Sequence, residues 1–473
     1  MRSPIKAPTA RRPSAGHTLY DAGLPDRAAR LVAFMPESSS SDPGRTIREL
    51  PVGVRIELRS GDGRRYIGAV VPNHTVGSEP TVRLRLDNGY QVGIRIGPDT
   101  SFERLPDVPG VGPGPVDLLP ITPPPAAQGP WVTVLTTGGT IASRIDYATG
   151  GVRPVKEEAE LLAFYPELGR SGPVRIEMVF DRLSEDLRPD DWVTLAERTV
   201  DAFSAGARGV VIAHGTDTMG YSAAALSFLL ADLPGPVVLV GAQRSPDRPS
   251  SDGPSNLHAA VQVARSASLG EVAVVMHAGL SDSEFSLHRG PWVRKMHSTR
   301  RDAFRSRNGP PLGTVRDGTV SVAEWARRPG PGPARLDGPI DPRATLLWFY
   351  PGLEPARAEA FVRGARGIVL AGTGLGHVAS EHLPWIRSAI SGGAVVGMTT
   401  QCLEGRVDPY VYATGRELER AGVLYLDDLL PETAYAKMLW ALGHASDPVR
   451  VAELLRRDRA GEFLPRRTGR ADE

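Results

Sequence analysis

Two stretches of this chain share one design, and that design narrows the fold more than any other feature. Trp131 to Leu135 is a short apolar, β-branched run that empties into Thr136-Thr137-Gly138-Gly139-Thr140-Ile141-Ala142-Ser143. Gly209 to Ala213 is a second apolar run, and it empties into His214-Gly215-Thr216-Asp217-Thr218. Runs of this length and composition predict buried strands. Glycines after a strand allow a sharp turn and a close approach to the backbone. Open α/β sheets place their ligands at the carboxyl ends of such strands. Either loop alone reads as a turn whose threonines cap a helix. Two loops of the same design, both carrying hydroxyls and one carrying a carboxylate, point to a shared polar pocket.

The surrounding pattern fits that frame. Strands are expected at Val174–Phe180, Val237–Val240 and Glu271–Met276, and helices at Asp190–Ser204, Met219–Ala231 and Pro254–Arg265. Such alternation argues a parallel sheet covered by helices. The pattern weakens from Asp317 to Pro342 and then resumes, with strands at Thr345–Phe349, Gly367–Leu370 and Ala394–Gly397 and a helix near Glu432–Leu442. This divides the region into an amino-terminal lobe, 131–328, and a smaller lobe, 340–445, followed by a charged tail, 446–473.

Upstream the period is two. Val54, Ile56 and Leu58 alternate with Arg55 and Glu57, and Val82, Leu84 and Leu86 alternate with Arg83 and Arg85. Asp87-Asn88-Gly89 is a hairpin signal before Tyr90, Val92, Ile94 and Ile96. Residues 46–103 therefore read as a small SH3-like β-barrel. Arg83, Arg85 and Arg95 could meet RNA phosphates, although the solvated outer face of a half-buried sheet accounts for each of them more simply. Residues 104–130 form a Pro- and Gly-rich linker, and the composition of 1–45 predicts disorder.

Length and charge exclude little. The 473 residues suggest about three domains and a sizeable core. A net charge of +1 demands neither nucleic acid nor membrane. No run approaches the ~18 apolar residues of a membrane span. The single cysteine, Cys402, fits a reducing compartment, and a cytoplasmic location is expected. His214, His258, His277, His288, His297 and His377 show no paired ligand spacing, so no metal site is predicted. No phosphate-binding loop is visible either.

One compositional fact bears on chemistry. The only lysines are Lys6, Lys156, Lys295 and Lys437, in a chain that otherwise writes arginine. A threonine hydroxyl needs a base to become a nucleophile. Lysine can serve once it has lost its proton; arginine cannot. Lys295 lies among Arg289, Arg294, Arg300 and Arg301, so its identity there invites a proton-transfer role.

The paired loops, with Ala142–Gly150, Gly241–Ser245, Val293–His297 and Pro409–Leu418, resemble the asparaginase/glutaminase family. Within it the chain looks like the D-type subunits of tRNA-dependent amidotransferases, which carry an amino-terminal β-module that simple asparaginases lack. The resemblance runs from about Val52 to about Leu442. It implies a two-lobed fold and an amidohydrolase acting on glutamine or asparagine. It also implies Thr140, Thr216, Asp217 and Lys295 as catalytic residues, with Thr140 favoured as nucleophile and the reversed order of threonines left open. Ser184 and Glu185 match the substrate-binding pair, and Tyr147 is a looser match for a lid residue. Helix capping before Pro189 is the alternative reading of Ser184 and Glu185. The resemblance further implies a homodimer, no cofactor in this chain, and a separate E-type subunit that takes ATP, Mg and tRNA. A stand-alone L-asparaginase is the alternative, and a non-catalytic adaptor is a third reading. Gly220, directly after the His214–Met219 motif, departs from the larger residue expected there.

Overall fold

A computed structural model describes residues 50–71, 81–86, 91–106, 130–138, 143–145, 152–154, 172–244 and 250–464. The amino-terminal extension, nearly all of the linker and the last residues of the chain lie outside this set, as do Thr140 and Tyr147.

The first module is a five-stranded antiparallel sheet built from β1 (Arg55–Arg59), β2 (Arg65–Val70), β3 (Thr81–Leu86), β4 (Gln91–Arg95) and β5 (Ser101–Arg104), in the order β4-β3-β2-β1-β5. The apolar positions of the two-residue repeat (Ile56, Leu58, Val82, Leu84 and Ile94) meet in one core. Arg83 and Arg95 lie on the opposite, exposed face. The small barrel-like module expected from the alternation is thus present.

The next lobe holds β6 (Val132–Thr136), β7 (Ser143–Ile145), β8 (Val152–Pro154), β9 (Val174–Met178), β10 (Gly209–Ala213), β11 (Leu230–Ala231), β12 (Val237–Val240), β13 (Val272–His277), β14 (Glu284–Arg289), β15 (Val293–Lys295), β16 (Phe304–Ser306), β17 (Gly313–Arg316), β18 (Thr319–Val322) and β19 (Arg335–Leu336). Its helices are α1 (Pro189–Ser204), α2 (Met219–Leu229) and α3 (Gly253–Ser266). The main sheet runs β18-β17-β14-β13-β12-β10-β6-β9. From β13 to β9 every pairing is parallel, whereas β14, β17 and β18 join antiparallel. The sheet is therefore mixed rather than purely parallel. The added strands come from hairpins between residues 284 and 322, where no α-helix intervenes to carry a parallel crossover. The apolar helix expected to reach Ala231 stops at Leu229, and Leu230–Ala231 pairs with β19 instead.

The central strands are apolar on both faces because both are covered. Val210 and Ile212 face α1 and α2, while Val211 and Ala213 face α3. The second lobe is a four-stranded parallel sheet of β20 (Ala344–Trp348), β21 (Gly367–Gly372), β22 (Val395–Thr400) and β23 (Leu424–Tyr425). Its helices are α4 (Pro355–Val362), α5 (Leu383–Ser391), α6 (Ala413–Arg420), α7 (Pro431–His444) and α8 (Pro448–Arg456). Residues of α2 and α7 belong to one continuous core, so the lobes share their interior.

The segment from 446 is not a free tail as far as residue 464. It holds α8, and Lys437 of α7 reaches it with three contacts. Its Nζ lies 2.5 Å from a Glu462 carboxylate oxygen and donates to the carbonyls of Leu455 and Arg457 at 2.7 Å each. Both charges are fully buried. A hydropathy reading takes such residues for solvent-facing ones, because it cannot see that they meet. No helix among the described residues is long and apolar enough to cross a membrane.

Candidate active site

Four adjacent strands build the site. β12, β10, β6 and β9 run parallel, so their carboxyl ends deliver residues 241–244, 214–218, 137–138 and 179–187 to one edge of the sheet. The first hydroxyl loop is tied to the second at its root. Thr137 donates to the Ala213 carbonyl through its N–H at 3.0 Å and its hydroxyl at 3.2 Å. Gly138 then takes a φ of 89°, and a Cβ there would stand 2.6 Å from the Arg182 carbonyl oxygen. Only glycine meets both demands. Arg182 returns its own N–H to the Thr137 carbonyl at 3.1 Å, while its guanidinium pairs with Asp191 of α1 at 2.9 Å.

Ser184–Asp186 form a single 3-10 turn in the loop after β9. The side chains of Ser184 and Glu185 do not cap α1. That is done by Asp191, whose carboxylate accepts from the Arg188 N–H at 2.7 Å. Ser184 is buried, its carbonyl accepts from the Thr218 hydroxyl at 2.7 Å, and its own hydroxyl lies 3.4 Å from the Glu185 carboxylate. A Cβ on Gly215 would lie 2.7 Å from the Ser184 Cβ. The glycine of the second hydroxyl loop thus lets the Ser184 turn press against Thr216's own neighbour.

Lys295 arrives from β15, a strand of a separate two-stranded ribbon. Its Nζ donates to Thr216 Oγ1 at 2.8 Å and to Asp217 Oδ1 at 2.7 Å. The lysine side chain is 14% exposed and the Asp217 side chain 68%. A largely covered amine therefore sits beside a buried hydroxyl and an open carboxylate able to take a ligand ammonium. Gly220 lies where α2 packs closely on the Lys295 strand: a Cβ there would stand 3.2 Å from the Val293 carbonyl, slightly inside ordinary contact.

Several neighbours are excluded as bases or explained as supports. His214 is fully buried, and burial holds its ring down to about 4; its Nδ1–H donates to the Gly215 carbonyl at 2.6 Å, so it is neutral and structural. Tyr221 faces Tyr435 edge-on at 6.4 Å, and burial, with Glu432 adding to it, pushes its hydroxyl up to about 12. Asp252, by contrast, was not legible as a support. Ser251-Asp252-Gly253-Pro254 has the composition of a helix start, and Asp252 does occupy the N-cap of α3. Its fully buried carboxylate instead accepts from the N–H groups of Gln243 and Arg244 at 3.1 and 3.0 Å and from Asn256 Nδ2 at 3.0 Å. It so fixes the loop whose Gly241 touches Thr216: a Cβ on that glycine would lie 2.7 Å from Thr216 Cγ2. His277 continues the chain to Asn256 at 2.7 Å and Asp282 at 2.9 Å. No cluster of three potential metal-ligating side chains occurs among the described residues.

Comparison with known proteins places the chain in a family. Residues 131–328 match the family model for the asparaginase N-terminal domain, 343–455 the glutaminase/asparaginase C-terminal domain, and 50–102 the GatD N-terminal domain. The chain is 43% identical over 413 residues to the D-type subunit of the glutamyl-tRNA(Gln) amidotransferase of Pyrococcus furiosus, covering 87% of this chain and 93% of that one. It is also 43% identical, over 420 residues, to the corresponding protein of Saccharolobus islandicus, covering 88% and 93%. Among solved structures it is similar to the thermostable L-asparaginase of Thermococcus kodakarensis, with a TM-score of 0.64 and 33% identity over 71% of this chain and 99% of that one. L-asparaginase I of Vibrio cholerae follows, at 0.61 and 29%, with 71% and 99% covered.

Proposed function

Because the chain belongs to the asparaginase family, in the branch of the D-type amidotransferase subunits, we propose that it releases ammonia from glutamine or asparagine for a tRNA-dependent partner subunit. The family makes it an asparaginase-type amidohydrolase, a chemistry that needs no cofactor. The observation that carries the reading is Lys295 placed between Thr216 and Asp217 at the strand ends, beside the root of the Thr140 loop.

In this mechanism Thr140 attacks the side-chain amide carbon. A C–O bond forms, the C–N bond breaks, and the threonine proton passes to the departing nitrogen, which leaves as ammonia. Water then cleaves the acyl-threonine ester, giving the free acid and restoring the hydroxyl. Thr216, Lys295 and Asp217 handle the protons. Lysine suits this role because it can exist without its proton, which arginine cannot. Asp217 and Glu185 take the substrate α-ammonium, the Ser184 hydroxyl donates to its α-carboxylate, and Tyr147 closes over it. Backbone N–H groups of the glycine-rich loop stabilise the oxyanion. ATP and Mg act at an E-type partner, where the ammonia is used on tRNA-bound glutamate. A cytoplasmic homodimer is the form proposed for the chain.

A stand-alone L-asparaginase is the second reading, favoured by the match of the two α/β lobes to 99% of the length of solved L-asparaginases. The small amino-terminal module, matched to a domain of the amidotransferase branch, favours the first. The test is ammonia release by the purified chain with each amide, alone and with an E-type subunit and charged tRNA. Turnover that rises with partner and tRNA supports the amidotransferase role, and fast partner-free asparagine turnover supports the asparaginase. Thr140→Ala with wild-type activity overturns the assignment of nucleophile.

A further inference from the structure

None of the residues assigned to the reaction comes from the second lobe, yet that lobe grips both ends of the hairpin carrying Lys295. The hairpin itself is slight: three residues of β15 pair with three of β16, Lys295 facing Phe304. A ribbon of that size does not hold its own position. On its entering side the Thr433 hydroxyl, buried at the start of α7, donates to the Pro291 carbonyl at 2.6 Å. The adjacent Glu432 pairs with Arg294 at 3.1 Å. Trp292 Nε1 donates to the Glu462 carbonyl at 3.0 Å, so the segment beyond α8 joins the grip. On the leaving side Asn308 donates to the Asp428 carbonyl at 3.0 Å and accepts from the Gly405 N–H at 2.7 Å.

We propose that the second lobe sets the position of the Lys295 amine, and that Thr433 is the positioning residue through which it does so. Resting on the function proposed above, this adds to it a role for a lobe that holds none of the reacting groups. Pro291 is four residues before Lys295, and its carbonyl has a short, buried tether on the first turn of a helix that is itself locked into the shared core. Losing the tether frees the strand root, and the Nζ contacts at 2.7 and 2.8 Å lose their alignment. Misplacement of a catalytic group by about 1 Å costs on the order of 100-fold in rate.

The experiment compares Thr433→Val, which keeps the shape and removes the donor, with Thr433→Ser, which keeps the donor, in the full chain and with the partner subunit present if turnover requires it. In Thr433→Val, kcat for ammonia release falls by about 10- to 100-fold while KM changes by less than about threefold. Thr433→Ser restores kcat to within about threefold of wild type. A second readout does not depend on turnover. The chain has only four lysines, so reductive methylation with 13C-formaldehyde gives few resonances, and the Lys295 signal is identified by its absence in Lys295→Arg. It is displaced in Thr433→Val and unmoved in Thr433→Ser. A folded Thr433→Val with wild-type kcat and an unmoved resonance overturns the proposal, as does a Thr433→Ser as impaired as the valine variant. If Thr433→Val fails to fold, Glu432→Gln replaces it with the same expected direction. A wild-type chain that hydrolyses neither amide counts against the proposed function, and the resonance then judges the positioning alone.

Discussion

Gly215 stands immediately before Thr216, and a methyl group placed on it would lie 2.7 Å from Ser184 Cβ, 2.9 Å from Ser184 Oγ and 3.3 Å from the Ser184 nitrogen. Ordinary contact begins at 3.4 Å, so Gly215→Ala must drive the two loops apart by about 0.7 Å. The atoms it meets are a buried side-chain stem and backbone, not the far end of a flexible side chain. Overpacking of this kind costs about 1–3 kcal/mol. The displaced residue belongs to the proposed substrate pair, so binding suffers with stability: a shift of that size predicts a drop in kcat/KM of about 10- to 100-fold. Thermal unfolding and steady-state ammonia release measure the two effects. Gly279→Ala is the internal control, since a Cβ there meets nothing within 4 Å. If Gly215→Ala matches wild type in both assays, or Gly279→Ala is equally impaired, the close approach of these loops does not govern the site.

Three further expectations follow from charges. Lys295→Arg keeps a cation beside Asp217 but cannot give up its proton, so ammonia release falls by about 1,000-fold or more with little change in unfolding temperature; retained activity would remove Lys295 from proton transfer. Burial raises Asp428 to about 6 against the opposing pull of Arg406, so the native state holds a proton there that the unfolded chain releases near pH 4. That contribution is full below about pH 4 and is lost as pH rises to about 6, a change of roughly 3 kcal/mol; urea midpoints across this window should carry the slope in wild type and lack it in Asp428→Asn. Lys437→Met leaves the fully buried Glu462 without its partner and should cost about 3–5 kcal/mol in urea unfolding, an expectation refuted by a wild-type midpoint.

The residues themselves determined a good deal. Apolar runs closed by glycine and hydroxyl residues marked β6 and β10 and the loops that follow them. A period of two marked the small β-module. Helices α1, α3 and α7 fell within a residue or two of their expected limits. Lys295 stood out because a lysine among arginines is a chemical choice visible without any structure. These features are legible because burial leaves a local period in the sequence, and because side-chain chemistry belongs to the residue itself.

The tertiary structure decided what depends on residues far apart in sequence. That β14, β17 and β18 extend the sheet antiparallel is a matter of partner choice, and strand composition reads the same for either direction. The N-cap position of Asp252 predicts a cap, yet its carboxylate serves the N–H groups of residues 243 and 244, which the fold brings against it. Lys437 and Glu462 read as surface charge and are interior, since two ions can be buried only together. Thr216 and Lys295 stand 79 positions apart, and the stretch between them carries no trace of the 2.8 Å that separates their reactive atoms. Local sequence records how each segment meets water, whereas which segments meet each other is settled only when the whole core closes.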